Sequence, residues 1–300
     1  MPKDCLLVQG MWRSESDPWC RYYREATSTS EEVDTALGLT MWGLYIFAAL
    51  LNMNLARLAI RLSVSTPLKL AVCFYAMVCA WRAIFLNDTA ERLCFFNTWP
   101  NYAFVNRSLA ACGEISFGSS GGVIARDLLQ KYTPDRSLAR WFAVPLCIVL
   151  SILATVANCL CFTAMLKKQV WWHLLEESLW AVYGSLSALM SVVVYFHIPG
   201  HASGMRSVLL CIAFASIFWA AYIIIIDLPM YVDMSRREEE RGYAPKAFLE
   251  GVKDSMQCAI TSQLFTVWEE VWLWQVAYYL AGPFLLYRAA SLTESKSKAS

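Results

Sequence analysis

Seven apolar blocks, at roughly 36–61, 67–86, 103–125, 141–165, 172–196, 205–233 and 264–289, set the terms on which this chain can fold. Each is close to or longer than the about 20 residues that a helix needs to cross the hydrocarbon core of a bilayer. Backbone amides have no water to bond there, so spanning segments satisfy themselves as helices or closed barrels, and blocks of this length read as helices. Of the 300 residues, 58% are hydrophobic and 16% charged, with a mean hydropathy of +0.42. A soluble domain carries about a quarter charged residues, so the apolar surplus exceeds the needs of one soluble core. The expected fold is all-α: a polytopic integral membrane helical bundle with about seven transmembrane helices.

The expected organisation is one transmembrane domain at 36–289, after an extramembrane or interfacial segment at 1–35 and before a short polar tail at 290–300. The connection at 234–263 is expected to be interfacial and amphipathic beyond its GYAP turn. The third and seventh blocks are the weakest spans. One holds Arg107, Glu114 and the glycines of GEISFGSSGG, the other the WEE triplet at 268–270, and a break in either reduces the count to six. Residues 1–35 lack the apolar run of a secretory signal, so the first block is the expected anchor, without specifying which membrane. Lys and Arg counts in the short connections nearly balance, with a slight lean toward an exoplasmic or lumenal amino terminus and a cytoplasmic carboxyl terminus.

A net charge of +1 offers no basic face for phosphates, so no nucleic-acid partner is expected. The expected partners are membrane lipids and a hydrophobic small-molecule substrate, with homo-oligomers or a membrane complex compatible. The 11 cysteines contain no CxxC. Cys159 and Cys161 are two residues apart and point to different sides of a helix, so neither a metal set nor a cofactor is expected, and cysteines within the spans read as small packing residues. Cys5, Cys20 and Cys94 fall on one side of the membrane, where an oxidising compartment would permit a disulfide among them. The sequon NDT at 87–89 lies on that side, and NRS at 106–108 lies close to a span.

Charges inside a hydrocarbon layer cost several kcal/mol and therefore mark function, unless they face protein, water or an interface. Arg107 and Glu114 are seven apart, on one helix face but two turns distant, and each is expected to need a partner other than the other. The GEISFGSSGG stretch fits either a close helix crossing or a broken segment, and it lacks the lysine of a phosphate loop. In WWHLLEESLW, His173 shares a face with Glu177 at four residues and with Glu176 at three, and Trp180 and Tyr183 follow. The plainer reading puts His173 at the headgroups, with the acids paired to Lys167 and Lys168. Asp227 follows four isoleucines and precedes Pro229, with Tyr231 four residues on, and the RREEER run beyond reads as a solvated helix end. Glu269 and Glu270 lie among Trp268, Trp272 and Trp274.

The expected site gathers Glu114, His173, Glu177, Asp227 and Glu270 as catalytic groups, with Glu176 and Glu269 as alternates for their neighbours. Arg107, Trp180, Tyr183, Tyr231, Trp272 and Trp274 are the expected substrate-binding residues. Carboxyls deliver and remove protons, and tryptophan faces stabilise a cation when water is excluded. These groups point to an isomerase or cyclase of a sterol- or isoprenoid-like lipid. In it Glu177 donates, His173 orients or relays, Asp227 or Glu270 accepts, and Trp180, Trp272 and Trp274 flank the cation. The alternatives are a proton- or ion-coupled transporter of a small solute and a non-catalytic structural subunit of a membrane complex. Other membrane classes lack their signatures here: there is no lysine in the last block for a retinal Schiff base, no DRY or NPxxY, and only three histidines for a diiron centre.

Overall fold

The computed structural model describes residues 31–88, 93–94, 98–133, 137–240, 242, 244–260 and 269–293; for 31–38, 88, 93, 138–140, 143, 259–260, 269–274 and 277 the description covers the backbone alone. The chain forms α1 (Glu31–Ala59), α2 (Thr66–Ile84), α3 (Ala103–Tyr132), α4 (Leu138–Lys167), α5 (Val170–His197) and α6 (Ser203–Tyr222). A π-helical turn at Ile223–Asp227 continues α6 into α7 (Leu228–Glu240), and α8 (Phe248–Ser255) and α9 (Glu269–Thr293) complete the α-helices among the described residues. Among the described residues five stretches, Leu39–Ala59, Thr66–Ile84, Val144–Lys167, Val170–His197 and Ser203–Glu240, are long and apolar enough to cross a membrane. The protein is thus a multi-pass, all-α membrane bundle. Among the described residues the exceptions are three strands of two residues each: β1 (Asn87–Asp88), β2 (Leu93–Cys94) and β3 (Ala259–Ile260).

Consecutive helices from α1 to α6 pack side by side, and α9 returns to contact α1, α2, α3 and α6, which closes the bundle. The outer faces carry large apolar side chains, including Phe142, Ile152, Phe214, Phe218 and Ile225, whereas Ala48, Ala76, Ala80, Ala110, Ala154 and Ala157 are buried between helices. This inverts the soluble pattern. Lipid chains are as apolar as leucine, so association relies on close packing, and small residues let the backbones approach. The glycine-rich stretch of α3 shows how. A Cβ on Gly118 would lie 3.1 Å from Ala154 Cβ, and one on Gly122 would lie 2.9 Å from Cys147 Cβ. GEISFGSSGG is therefore an unbroken helix at a close crossing with α4, and the broken-segment alternative does not occur.

At one end of the bundle β2 pairs antiparallel with β1 and parallel with β3. A disulfide between Cys94 and Cys258 fastens the α2–α3 connection to the segment that leads into α9. The sequence reading sought Cys94's partner in Cys5 or Cys20, which lie outside the described residues. Cys258 sits in the apparently polar 234–263 connection, 164 residues away, and only the fold brings it near. Both sequon asparagines are structural. Asn87 is buried and its Nδ2 donates to the Asn101 carbonyl, while buried Asn106 donates through Nδ2 to the Phe85 carbonyl at 3.0 Å.

Between α7 and α9 the chain turns at Gly242, whose φ of +63° suits glycine. α8 then docks on the end of α4. A Cβ on Gly251 would fall 1.9 Å from the Leu166 carbonyl oxygen, so no larger residue fits that approach. Lys246 donates its amide to the Lys167 carbonyl at 3.1 Å and pairs through its ammonium with Asp254. In the RREEER run Arg236, Glu239 and Glu240 are exposed, as expected of a solvated helix end, but Glu238 departs from that expectation. Glu238 is buried, and its Oε2 accepts the Val170 amide at 2.9 Å, which satisfies one of the unpaired donors at the start of α5.

Disulfides persist in oxidising compartments. Maleimide labelling of the denatured, unreduced protein is expected to leave Cys94 and Cys258 unmodified. Each single variant, Cys94→Ser or Cys258→Ser, should add one labelled thiol relative to the wild type, and the double variant none; unchanged labelling in both single variants would refute the bridge.

Candidate functional site

Four buried charges meet between α2, α3 and α5. Arg107 Nη2 donates to Asn158 Oδ1 at 2.7 Å and lies 3.3 Å from Glu114 Oε2 and 3.5 Å from Glu176 Oε1. Arg82 Nη1 lies 3.6 Å from Glu114 Oε1, which also accepts the Tyr278 hydroxyl at 3.3 Å. Arg82 Nε donates to Asn106 Oδ1 at 3.2 Å. All of these charged side chains are buried, and the two cations match the two carboxylates. A lone ion in this setting would carry a desolvation penalty of several kcal/mol, which the paired arrangement offsets.

The direct Arg107–Glu114 contact corrects the sequence expectation that each needs a different partner. Seven residues rise about 10 Å along a helix, a distance that a long arginine and a glutamate can close together when nothing stands between them. The intervening residues on that face, Ala110 and Ala111, are small and buried. Arg107 does also use other partners, in Asn158 of α4 and Glu176 of α5, so the one guanidinium ties three helices.

His173 is held by Glu176. Its Nδ1–H donates to Glu176 Oε2 at 2.9 Å, and the Tyr231 ring of α7 stacks on the imidazole at 5.7 Å and 20°. Three- and four-residue spacings both share a helix face, and Arg107 decides between them by fixing the Glu176 carboxylate. Lys167, offered by the plainer reading as a partner for these acids, lies over the Trp172 ring at 5.7 Å. The Cys161 thiol of α4 completes the group, for one donor atom from each of Cys161, His173 and Glu176 lies within 4.8 Å of the others.

Glu177 takes the neighbouring face of α5, half-buried and within electrostatic reach of Asp227 and Glu176; among the described residues no hydrogen bond or ion pair reaches its carboxyl. Asp227 is half-buried, with Tyr222 within reach. It ends the π-helical turn, in which the Leu228 amide bonds to the Ile223 carbonyl. Pro229 has no amide to give the carbonyl four residues earlier, and the widened turn accommodates that loss. Ile224, Ile225 and Ile226 of the same turn point outward and are exposed on the lipid-facing surface. Tyr231 lies within reach of Glu177, Asp227 and Glu176.

The structure thus brings Arg107, Glu114, His173 and the alternate Glu176 into one cluster, with Glu177, Asp227 and Tyr231 beside it. Trp180 packs edge-on against Tyr183 at 5.3 Å, and Tyr183 lies deeper, against α3 at Gly118. The side chains of Glu269, Glu270, Trp272 and Trp274 lie outside the described residues. Within the cluster it is tyrosines that attend a cation: Arg82 lies over Tyr278 at 5.7 Å and Tyr279 at 5.5 Å. Trp81 packs instead on Phe85 and Trp99. Arg82, Asn158 and Cys161 are absent from the sequence-derived site. A polar residue inside an apolar block, as in CAWRAIF and ATVANCL, was their available signal.

The cluster lies toward the disulfide-bearing end. Arg107, His173, Glu176, Cys161 and Asn158 are three to nine residues from the helix ends there, or roughly 5–14 Å along the axes. A surface pocket lined by Ser65, Asp127, Lys131 and Thr293 occupies the opposite end and is remote from these acids. The chain matches no protein-family model, no curated protein and no solved structure.

Removing one partner of a buried pair costs about 3–5 kcal/mol because the other charge stays behind. Arg107→Met is therefore expected to lower thermal stability of the purified protein in detergent by that order. Adding Glu176→Gln should recover part of the loss, and melting curves of the single and double variants check this.

Proposed function

We propose that the protein is a membrane-embedded isomerase or cyclase that moves a proton on a hydrophobic, sterol- or isoprenoid-like lipid. The observation that carries this reading is the Glu177–Asp227 pair beside a lipid-facing π-helical turn: two acids on α5 and the α6–α7 junction, next to apolar surface from which a substrate can enter sideways. Glu177 delivers its proton to an alkene carbon, the cation forms on the neighbouring carbon, and the Asp227 carboxylate removes a proton from the next position. Return of that proton from Asp227 to Glu177 resets the site without net consumption. The electron-rich ring of Tyr231 faces the cation. The Arg107–Glu114–Glu176–His173 cluster forms the fixed wall against which the pair is positioned.

The same reading gives seven spans, with α3 and α9 as the members beyond the five apolar stretches, since both run the length of the bundle between membrane helices. α8 lies at the interface, where exposed Phe248 and Leu249 enter the headgroup layer. The disulfide end faces an exoplasmic or lumenal compartment. A coupled transporter would need titratable groups leading to both sides, whereas the acids described here gather near one end, which favours the enzyme.

Glu177→Gln and Asp227→Asn are expected to lower turnover about 10²–10⁴-fold while the bound lipid is retained, because each isostere keeps shape and loses proton exchange. Mass spectrometry of lipids co-purified with wild type and variants identifies the substrate, and its conversion in reconstituted membranes measures turnover. Recovery of no discrete lipid, together with proton-gradient-dependent solute uptake into proteoliposomes, would overturn the enzyme reading in favour of transport.

A further inference from the structure

Cys161, His173 and Glu176 come from two helices and bury a thiol, an imidazole and a carboxylate together. Nitrogen, sulfur and oxygen donors in this mixture suit a borderline divalent ion such as zinc, which accepts all three at about 2.0–2.3 Å. The corners of such a tetrahedron are about 3.3–3.8 Å apart, and the three donor atoms here lie within 4.8 Å of one another, so side-chain adjustment alone closes the site. We propose that these residues form a metal site for a zinc-type divalent cation, with the fourth position left to water or a substrate oxygen. The sequence reading expected no metal because it looked for paired cysteines, and this donor set uses one.

The surroundings fit a ligand set. Ligating carboxylates and imidazoles are oriented by outer contacts. Glu176 has Arg107 at 3.5 Å from Oε1, which leaves Oε2, now the acceptor from His173, turned toward the other donors. Tyr231 stacks on the imidazole and fixes its plane. Charge also balances. Arg82 and Arg107 match Glu114 and Glu176, so a divalent ion together with a Cys161 thiolate adds one positive charge, which the adjoining carboxylate of Glu177 or Asp227 offsets. Binding replaces the Cys161 S–H bond by a sulfur–metal bond and releases that proton to solvent, while the neutral His173 ring keeps its one proton on the nitrogen that does not ligate.

The inference does not rest on the proton-transfer reading, and the two fail separately. The full chain, purified in detergent, is titrated with cobalt(II) as a spectroscopic probe. A near-ultraviolet thiolate-to-cobalt charge-transfer band is expected, saturating at one ion per chain and accompanied by proton release. Cys161→Ala should abolish the band, and His173→Gln should weaken binding. Cys159→Ser, at an exposed position two residues away, should leave the band intact. X-ray absorption at the zinc edge of the zinc-loaded wild type needs no variant and should show one sulfur neighbour. Absence of the cobalt band in the wild type, its survival in Cys161→Ala, or zinc bound by nitrogen and oxygen alone would overturn the proposal.

Discussion

The guanidinium of Arg107 imposes the condition that the rest of the bundle meets. An ion buried in a helical bundle has to find its complement before the helices can close around it, and here the complement is spread over three helices. Glu114 supplies it from α3, Asn158 from α4 and Glu176 from α5. Each of those groups then needs a partner of its own. Glu114 takes Arg82 and Tyr278, and Glu176 takes His173, so one charge propagates into a network reaching α2 and α9.

Such a network depends on backbones close enough for short contacts, and the small residues provide that closeness. The alanines and glycines of α3 lie against α2 and α4, where a Cβ on Gly113 would already reach 2.9 Å from Val78 Cγ1. Packing of this kind in lipid replaces the solvent-driven burial of a soluble core, and it sets the side-chain geometry around the acids. The glycine-rich run that looks like a weakness in the sequence is what brings Asn158 within reach of Arg107.

Much of this architecture was legible because membrane spans write themselves as long apolar blocks, and the helices begin and end near the block boundaries. That Arg107, Glu114 and His173 need polar partners was also legible, since charge inside apolar sequence is costly wherever it points. The choice of Glu176 over Glu177 as the histidine's partner was not, because adjacent residues differ only in azimuth and the deciding contact comes from another helix. Cys258 was hidden for a similar reason: sequence separation carries no information on which loops share an end of the bundle. Arg82 and Asn158 stood as single polar letters in apolar runs, a signal that reads equally as a headgroup contact or a buried partner.

The π-helical turn at Ile223–Asp227 holds one residue more than an α-helical path needs. A regular helix reconnecting Tyr222 to Leu228 with one isoleucine fewer would keep both flanks on their present faces. The run of four isoleucines therefore carries the extra residue that the turn before Pro229 takes up. What the extra residue changes is local: the carbonyl and amide pattern beside Asp227 and the width of the wall through which Asp227 meets the lipid. Fold and chemistry are thereby separable at this point of the chain, and the length of an isoleucine run becomes a chemical variable.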